Sequence, residues 1–181
     1  MGHSTHPIEE FLGILQAHGI RQLVDVRTIP RSRRNPQFNR ETLPGSLQAA
    51  GIAYQHLPAL GGLRHARRDS MNTGWRNASF RGFADYMQTP EFRDGLQALI
   101  QLAAKASTAI MCAEAVPWRC HRSLIADALV ARGFEVREIL SATKSQPHQL
   151  TSFAQVAGIT VTYPAPGANL TLRFDGPETL R

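Results

Sequence analysis

Both cysteines of the chain, a carboxylate, an imidazole and two arginines fall within the stretch Cys112-Ala113-Glu114-Ala115-Val116-Pro117-Trp118-Arg119-Cys120-His121-Arg122-Ser123. A thiol beside imidazole and guanidinium groups ionises early, and the thiolate is the reactive form in nucleophilic and redox chemistry. The stretch follows an apolar strand-like run and precedes a helix-like one, the junction where α/β folds place their ligands. Cys112 is expected at the carboxyl end of a buried strand. Cys120, His121 and Arg122 are expected at the start of the next helix, where free amides and the helix dipole favour a thiolate and Arg119 and Arg122 add to the effect. Cys120 is therefore the candidate nucleophile or redox thiol, Glu114 or His121 the acid/base, and Cys112 the second thiol of the set. The competing reading of Glu114 and His121 is an internal ion pair or cap that stiffens the loop. Trp118 either covers the core or stacks on a base or an arginine plane.

Two other chemistries fit these residue types less well. Rhodaneses and cysteine phosphatases put a nucleophilic cysteine at the strand end and close the loop with an arginine. Here six residues separate Cys112 from Arg119, one more than the phosphatase loop has, and the loop is not glycine-rich. Zinc is open to Cys112, Glu114, Cys120 and His121. Zinc deaminases, however, open one helix with a ligand and glutamate and a second helix, far downstream, with a Cys-x-x-Cys pair. The separation here is far too short, and a zinc site would need His3, His56 or His65 from elsewhere. No metal is assigned, and the cofactor stays open.

Charge gives a second lead. The net charge is +6, and it is unevenly placed. Residues 27–81 hold Arg27, Arg31, Arg33, Arg34, Arg40, Arg64, Arg67, Arg68, Arg76 and Arg81 against Glu41 and Asp69, which is +8 there and −2 elsewhere. Such a segment suits a phosphate-bearing partner, a nucleotide or a nucleic acid, because the guanidinium fork matches phosphate geometry. The composition, eighteen arginines to two lysines, would also arise from codon bias, with the charges merely solvated. Arg27, Arg31, Arg33, Arg34, Arg119 and Arg122 form the candidate anion-binding set. Asp25, His56, Trp118 and Asn77 are further candidate pocket residues, Asn77 with loop bonding or helix capping as its alternative role.

The elements that must position these groups alternate. Ser4 or Thr5 is expected to cap a helix whose stripe is Ile8, Phe11, Leu12 and Leu15, with Pro7 in the first turn and Gly19 at the end. A buried strand follows over 20–26, a proline-punctuated basic loop, a helix over 40–50 and a strand over 52–57. The connection 58–79 is rich in Gly, Arg and Asn, and loops of that length tend to be functional. Helices are expected over 80–87, 90–104 and 119–132, strands over 108–112 and 134–140. Beyond residue 145 the pattern predicts a helix over 146–157 and extended pieces over 159–163 and 170–174. The fold expected is α/β, a largely parallel sheet flanked by helices on both faces in a Rossmann-like three-layer arrangement. It divides into a domain over 1–144 and an irregular C-terminal extension over 145–181 packed on it. No apolar run is long enough for a membrane span and no signal-peptide pattern opens the chain, so a cytoplasmic protein without a membrane partner is expected, its oligomeric state open.

Several of these segments together resemble the bacterial and archaeal family known as domain of unknown function 488. The matching stretches are Gly2-His3-Ser4-Thr5, Val24-Asp25-Val26-Arg27 with Pro30-Arg31-Ser32, Asn35-Pro36-x-Phe38, and Tyr54-x-His56-Leu57 with Leu60-Gly61-Gly62. Phe80-Arg81-Gly82-Phe83-Ala84-Asp85-Tyr86-Met87 and the Cys112 to Ser123 block complete them, so the resemblance spans residues 2–140. It implies a compact α/β domain and brings no reaction with it. Family members carry a strand before the Gly-His-Ser-Thr segment. This chain begins directly at that segment, so either its start is truncated or the first strand is lost, which leaves the completeness of the sheet and the placement of His3 open. The leading expectation is an enzyme with a Cys/His/Glu/Arg pocket acting on a phosphate-bearing substrate. The alternatives are a non-catalytic nucleic-acid-binding module with structural cysteines and, after it, a zinc-dependent hydrolase or deaminase.

Overall fold

Three short parallel strands make the central sheet of the computed structural model, which describes residues 1–167. They are β1 (Gln22–Asp25), β2 (Ala53–His56) and β3 (Thr108–Met111), in the order β2-β1-β3. The middle strand is buried at all four positions, which accounts for the apolar run leading from Ile20 to Val26. Successive side chains of a strand point opposite ways. Leu23 accordingly joins a cluster with Phe11, Leu15, Phe38, Leu43 and Leu47, and Val24 joins another with Leu60, Phe83, Leu96, Leu124 and Ile125. The fold is thus α/β in character, built on a parallel sheet.

Register decides what meets at the sheet's edge. Asp25 stands beside His56 on one side and Met111 on the other. The chain beyond each strand therefore leaves at the same edge, carrying Val26-Arg27, Leu57 and Cys112. Ahead of the sheet, Gly2 forms a parallel bridge to Cys112, and His3 N–H donates to the Cys112 carbonyl at 2.9 Å. His3 is thereby placed at that edge too.

Among the described residues five helices accompany these strands: α1 (Ile8–Ala17), α2 (Leu43–Ala49), α3 (Ala78–Tyr86), α4 (Pro90–Ala103) and α5 (Arg122–Val130). Among the described residues no helix is long and apolar enough to cross a membrane. The expected capping of α1 by Ser4 or Thr5 does not occur. Pro7 occupies that position, and Ser4 instead takes a left-handed turn with φ 46°. Helix α3 is capped as its sequence suggests, Asn77 Oδ1 accepting from Ser79 N at 2.8 Å. Helix α4 opens on Thr89 and Pro90 and buries Phe92, Leu96 and Leu99.

The expected helix over 119–132 begins later, at Arg122. Pro117 to Arg119 form a 3-10 turn, and Cys120 is extended at φ −135°, ψ 143°. Cys120 thus lies just outside the helix and His121 at its cap position. Residues Arg122 to Ala128 are all buried, a helix enclosed on every side, so any polar group on it must find partners inside the protein.

That requirement shapes the chain downstream of the helix. The strand expected over 134–140 does not extend the parallel sheet. As β4 (Arg137–Ser141) it pairs antiparallel with β5 (Lys144–Pro147) in a separate two-stranded sheet. The helix expected over 146–157 is absent: β5 is followed by a loop and by β6 (Gln155–Ala157), which pairs antiparallel with β7 (Thr160–Thr162). What holds this segment is Asp127 of α5, fully buried. It accepts from His148 Nε2 at 2.8 Å, Thr151 N at 3.1 Å, Thr151 Oγ1 at 2.7 Å and Tyr163 Oη at 2.8 Å. Four donors converging on one buried carboxylate outweigh a marginal local helix preference. The extended piece expected over 159–163 contains β7; the one over 170–174 lies outside the described residues.

Candidate functional site

Where the three strands end, a pocket of about 660 Å³ opens, with Cys112 and Cys120 in its wall beside His3, Arg27, Arg119 and His121. Cys120 is buried at 4% exposure, while Cys112 is half-buried. Both are free thiols. The Cys120 sulfur has three polar neighbours. The Cys112 sulfur lies within 4.8 Å, Arg122 Nε donates from 3.3 Å, and His121 Nδ1 lies 3.7 Å away.

The proton inventory of His121 follows from its other nitrogen. Nε2 lies 3.1 Å from the Val26 carbonyl, which has no hydrogen to give, so Nε2 carries a proton and Nδ1 is the nitrogen that faces Cys120 and exchanges a proton with it. Val26 belongs to the segment leaving β1, so the sheet itself orients the imidazole. Together these neighbours hold the Cys120 thiol well below the ordinary thiol range: the nearby Cys112 thiol contributes most, with His121 and Arg122 adding to it against the cost of burial. Cys112 moves the opposite way, raised by its closeness to the Cys120 sulfur, by burial and by the facing negative charge. The pair thus shares one proton, with the charge on Cys120.

Arg122 is a brace. Nearly buried, it bonds the Cys120 sulfur through Nε and the Glu114 backbone carbonyl through Nη2. The Glu114 side chain is exposed; Oε1 accepts from Val116 N at 3.4 Å. Glu114 lines the pocket through the loop that it helps to hold.

Arg27, expected among the anion binders, is buried and engaged from within. Its Nε donates to Asp25 Oδ1 at 2.9 Å, and Nη2 donates to Asp25 Oδ2 at 2.6 Å and to the Phe38 carbonyl at 2.7 Å. Its Nη1 bonds His3 Nε2 at 3.2 Å, which leaves one N–H for any ligand. Tyr54 Oη also donates to Asp25, at 3.0 Å. His3 completes the cluster, stacked on Phe38 with ring centroids 4.3 Å apart. Its Nδ1–H donates to the Ser4 carbonyl at 2.9 Å, so Nε2 is free to accept from Arg27. Burial and the Arg27 charge lower the His3 pKa to about 4, and His3 is neutral at pH 7.

The remaining expected residues divide. Arg31 and Arg119 are exposed and line the pocket, whereas Arg33 and Arg34 are exposed and outside its lining. His56 ends β2 as expected, but its Nε2 donates to the Arg27 carbonyl at 2.8 Å and it does not line the pocket. Asn77 caps α3, and its neighbours Ser79 and Phe80 reach the wall instead. Trp118, 67% exposed, lines a different groove with Trp75 and His148.

Two glycines carry information that a search for reactive side chains passes over. A methyl group on Gly62 would overlap the His121 imidazole, and one on Gly61 would press on Thr28 and the Pro58 carbonyl. Their signal is the Gly-Gly pair itself, required by close approach of backbone to site. We expect Gly62→Ala to displace the imidazole and destabilise the fold by about 1–3 kcal/mol through overpacking. Thermal unfolding together with the His121 ring NMR shifts checks this; unchanged shifts would show that Gly62 does not position the ring.

The Cys112 and Cys120 sulfurs and a ring nitrogen of His121 lie within 4.8 Å of one another, donor atoms that soft metals also accept. Against a metal stands Arg122, whose permanent positive charge already bonds the Cys120 sulfur. Of the histidines named as further ligands, His3 and His56 bond Arg27 instead, and His65 is exposed and outside the pocket lining.

A protein-family model described as domain of unknown function DUF488 matches residues 7–129, from just before α1 to near the end of α5. No curated protein and no solved structure matches the chain.

Proposed function

The chain belongs to the DUF488 family, and we propose that it is an enzyme whose nucleophile is the Cys120 thiolate, acting on a phosphate-bearing substrate held at the pocket mouth. The observation that carries the reading is the set of three polar groups around one buried sulfur: the Cys112 sulfur within 4.8 Å, His121 Nδ1 at 3.7 Å and Arg122 Nε at 3.3 Å. A structural cysteine needs none of them. In the proposed reaction Cys120 attacks the substrate while Cys112 and Arg122 hold its negative charge. His121, having taken the thiol proton on Nδ1, returns it to the leaving group. Arg31 and Arg119, exposed at the rim, receive the phosphate, with one N–H of Arg27 deeper inside. Nucleotide and nucleic acid are both within this substrate class. The proposal takes the fold as the three-layer Rossmann-like form, supported by the two clusters that share β1, with the chain from residue 145 as its extension. It also takes the reducing cytoplasm as the setting in which both thiols persist.

The test is the alkylation rate of Cys120 against pH, read by peptide mass spectrometry with and without a chelator. We expect an inflection well below the free-thiol value of about 8.5, unchanged by chelation. An ordinary inflection overturns the nucleophile, and reactivity that appears only after chelation replaces it with a metal site. Salt-sensitive nucleic-acid binding that is untouched by Cys120→Ser, beside an ordinary inflection, would establish the binding module.

A further inference from the structure

Resting on the same Cys120 reading, we propose that Cys112 and Cys120 form a catalytic dithiol that reduces small organic hydroperoxides, closing an intramolecular disulfide in each cycle. Nucleophilic substitution requires one reactive sulfur. This pocket has two, within 4.8 Å of each other and of the His121 ring nitrogen, and both stand in its wall.

Three features choose the co-substrate. Cys120 is 4% exposed, so the reagent must be small enough to pass the mouth, and a protein disulfide cannot reach it. The wall also carries Ile29, Leu63 and Phe80, apolar surface suited to an alkyl group. The reacting end would meet His121, a proton carrier in the wall, beside the Cys120 sulfur that Arg122 holds, and an oxygen leaving as alkoxide requires such a proton.

The steps balance. Cys120 Sγ attacks the terminal oxygen of the hydroperoxide; an S–O bond forms and the O–O bond breaks. The departing alkoxide takes the proton held on His121 Nδ1 and leaves as the alcohol, with Cys120 now a sulfenic acid. The Cys112 sulfur then attacks the Cys120 sulfur. An S–S bond forms, the S–O bond breaks, and the hydroxide combines with the Cys112 thiol proton as water. Two electrons have passed from the dithiol to the peroxide. An external dithiol restores the pair by attacking Cys112, the more exposed sulfur, and expelling Cys120. The acidity that makes Cys120 a ready nucleophile also makes it the better leaving group.

The test treats the full-length, reduced protein with one equivalent of tert-butyl hydroperoxide, followed by maleimide blocking and intact and peptide mass spectrometry. We expect loss of two hydrogen atoms per chain, a Cys112–Cys120 linked peptide and recovery of both thiols with a dithiol. In Cys112→Ser the sulfenic acid has no partner, and a dimedone adduct on Cys120 is expected instead. Hydrogen peroxide is expected to react more slowly, by about tenfold or more, having no alkyl group for the apolar wall. Accumulation of sulfenic or sulfinic acid in the wild-type protein without the linked peptide overturns the dithiol proposal while leaving a low alkylation inflection, and so the nucleophile, intact. An ordinary inflection with no peroxide consumed defeats both. Linkage found only between chains, and lost on dilution, also overturns it.

Discussion

Arg122→Met moves the alkylation inflection of Cys120 upward and cuts its reactivity about tenfold for each pH unit by which the solution lies below the new inflection. The guanidinium bonds the sulfur from 3.3 Å inside the protein, where a charge-assisted hydrogen bond is screened least. Methionine fills similar volume and donates nothing. It also leaves the Glu114 carbonyl without its partner, a loss of about 1 kcal/mol for a part-buried acceptor. Lysine keeps the charge but is a point donor that does not reproduce the fork spanning sulfur and carbonyl, so Arg122→Lys falls between. A purely structural role lowers the unfolding temperature and leaves the inflection where it was; that outcome removes Arg122 from the thiolate's support. Linkage gives a second readout. The folded pair holds one proton, because Cys120 is lowered and Cys112 raised. The unfolded chain's two thiols hold two protons below about pH 8.5 and release both above it. The pair's contribution to stability therefore rises with pH up to about 8.5 and falls beyond it. Flattening of this maximum in Arg122→Met separates loss of thiolate support from loss of packing.

The same residues show how far a chain can be read before it is folded. The three parallel strands are legible because each is a short apolar run bounded by polar loops, and a parallel sheet necessarily brings Arg27, His56 and Cys112 to one edge. The role of Arg27 was partly legible too. Asp25 and Arg27 are two apart in an extended segment, so they face the same side, and that spacing signals an internal ion pair before any ligand. What the chain conceals is long-range. Leu150, Phe153, Val156 and Ala157 imitate a helical stripe, yet Leu150 and Val156 are exposed at 39% and 44%. The segment is shaped by Asp127, some twenty residues upstream, which in the sequence looks like the polar face of an ordinary helix. Residues 134–140 read as a buried strand, but their partner is the following segment across a hairpin with no Gly at its turn. The cysteine spacing gave no distance either. Only the turn at Pro117 to Arg119 brings Cys120 back against Cys112.

The buried polar centre behind the site yields the other large effect: His148→Gln is expected to destabilise the protein by about 3 kcal/mol at pH 6, through loss of one member of a buried ion pair. His148 donates from Nε2 to Asp127 at 2.8 Å and from Nδ1 to Glu138 at 2.9 Å. An imidazole with both nitrogens facing carboxylates is held as the cation. Burial opposes the charge, but the bonds to Asp127 and Glu138 prevail and the pKa is raised above its ordinary value. A raised histidine contributes its full stability below the unfolded value of about 6.5 and loses it as pH rises through the folded value. Urea unfolding should therefore show a wild-type advantage over His148→Gln that is largest near pH 6 and shrinks in alkaline solution. An advantage independent of pH would mean that His148 is neutral and serves by packing alone. The consequence reaches the pocket, because Asp127 lies on the helix that begins at Arg122. Loosening residues 148–163 from α5 frees the far end of the element that carries the brace of Cys120. The glutamine variant should then lose thiolate reactivity in proportion to local unfolding, while its alkylation inflection stays in place. Arg122→Met moves the inflection itself, and this contrast separates a residue that supports the fold from one that supports the sulfur.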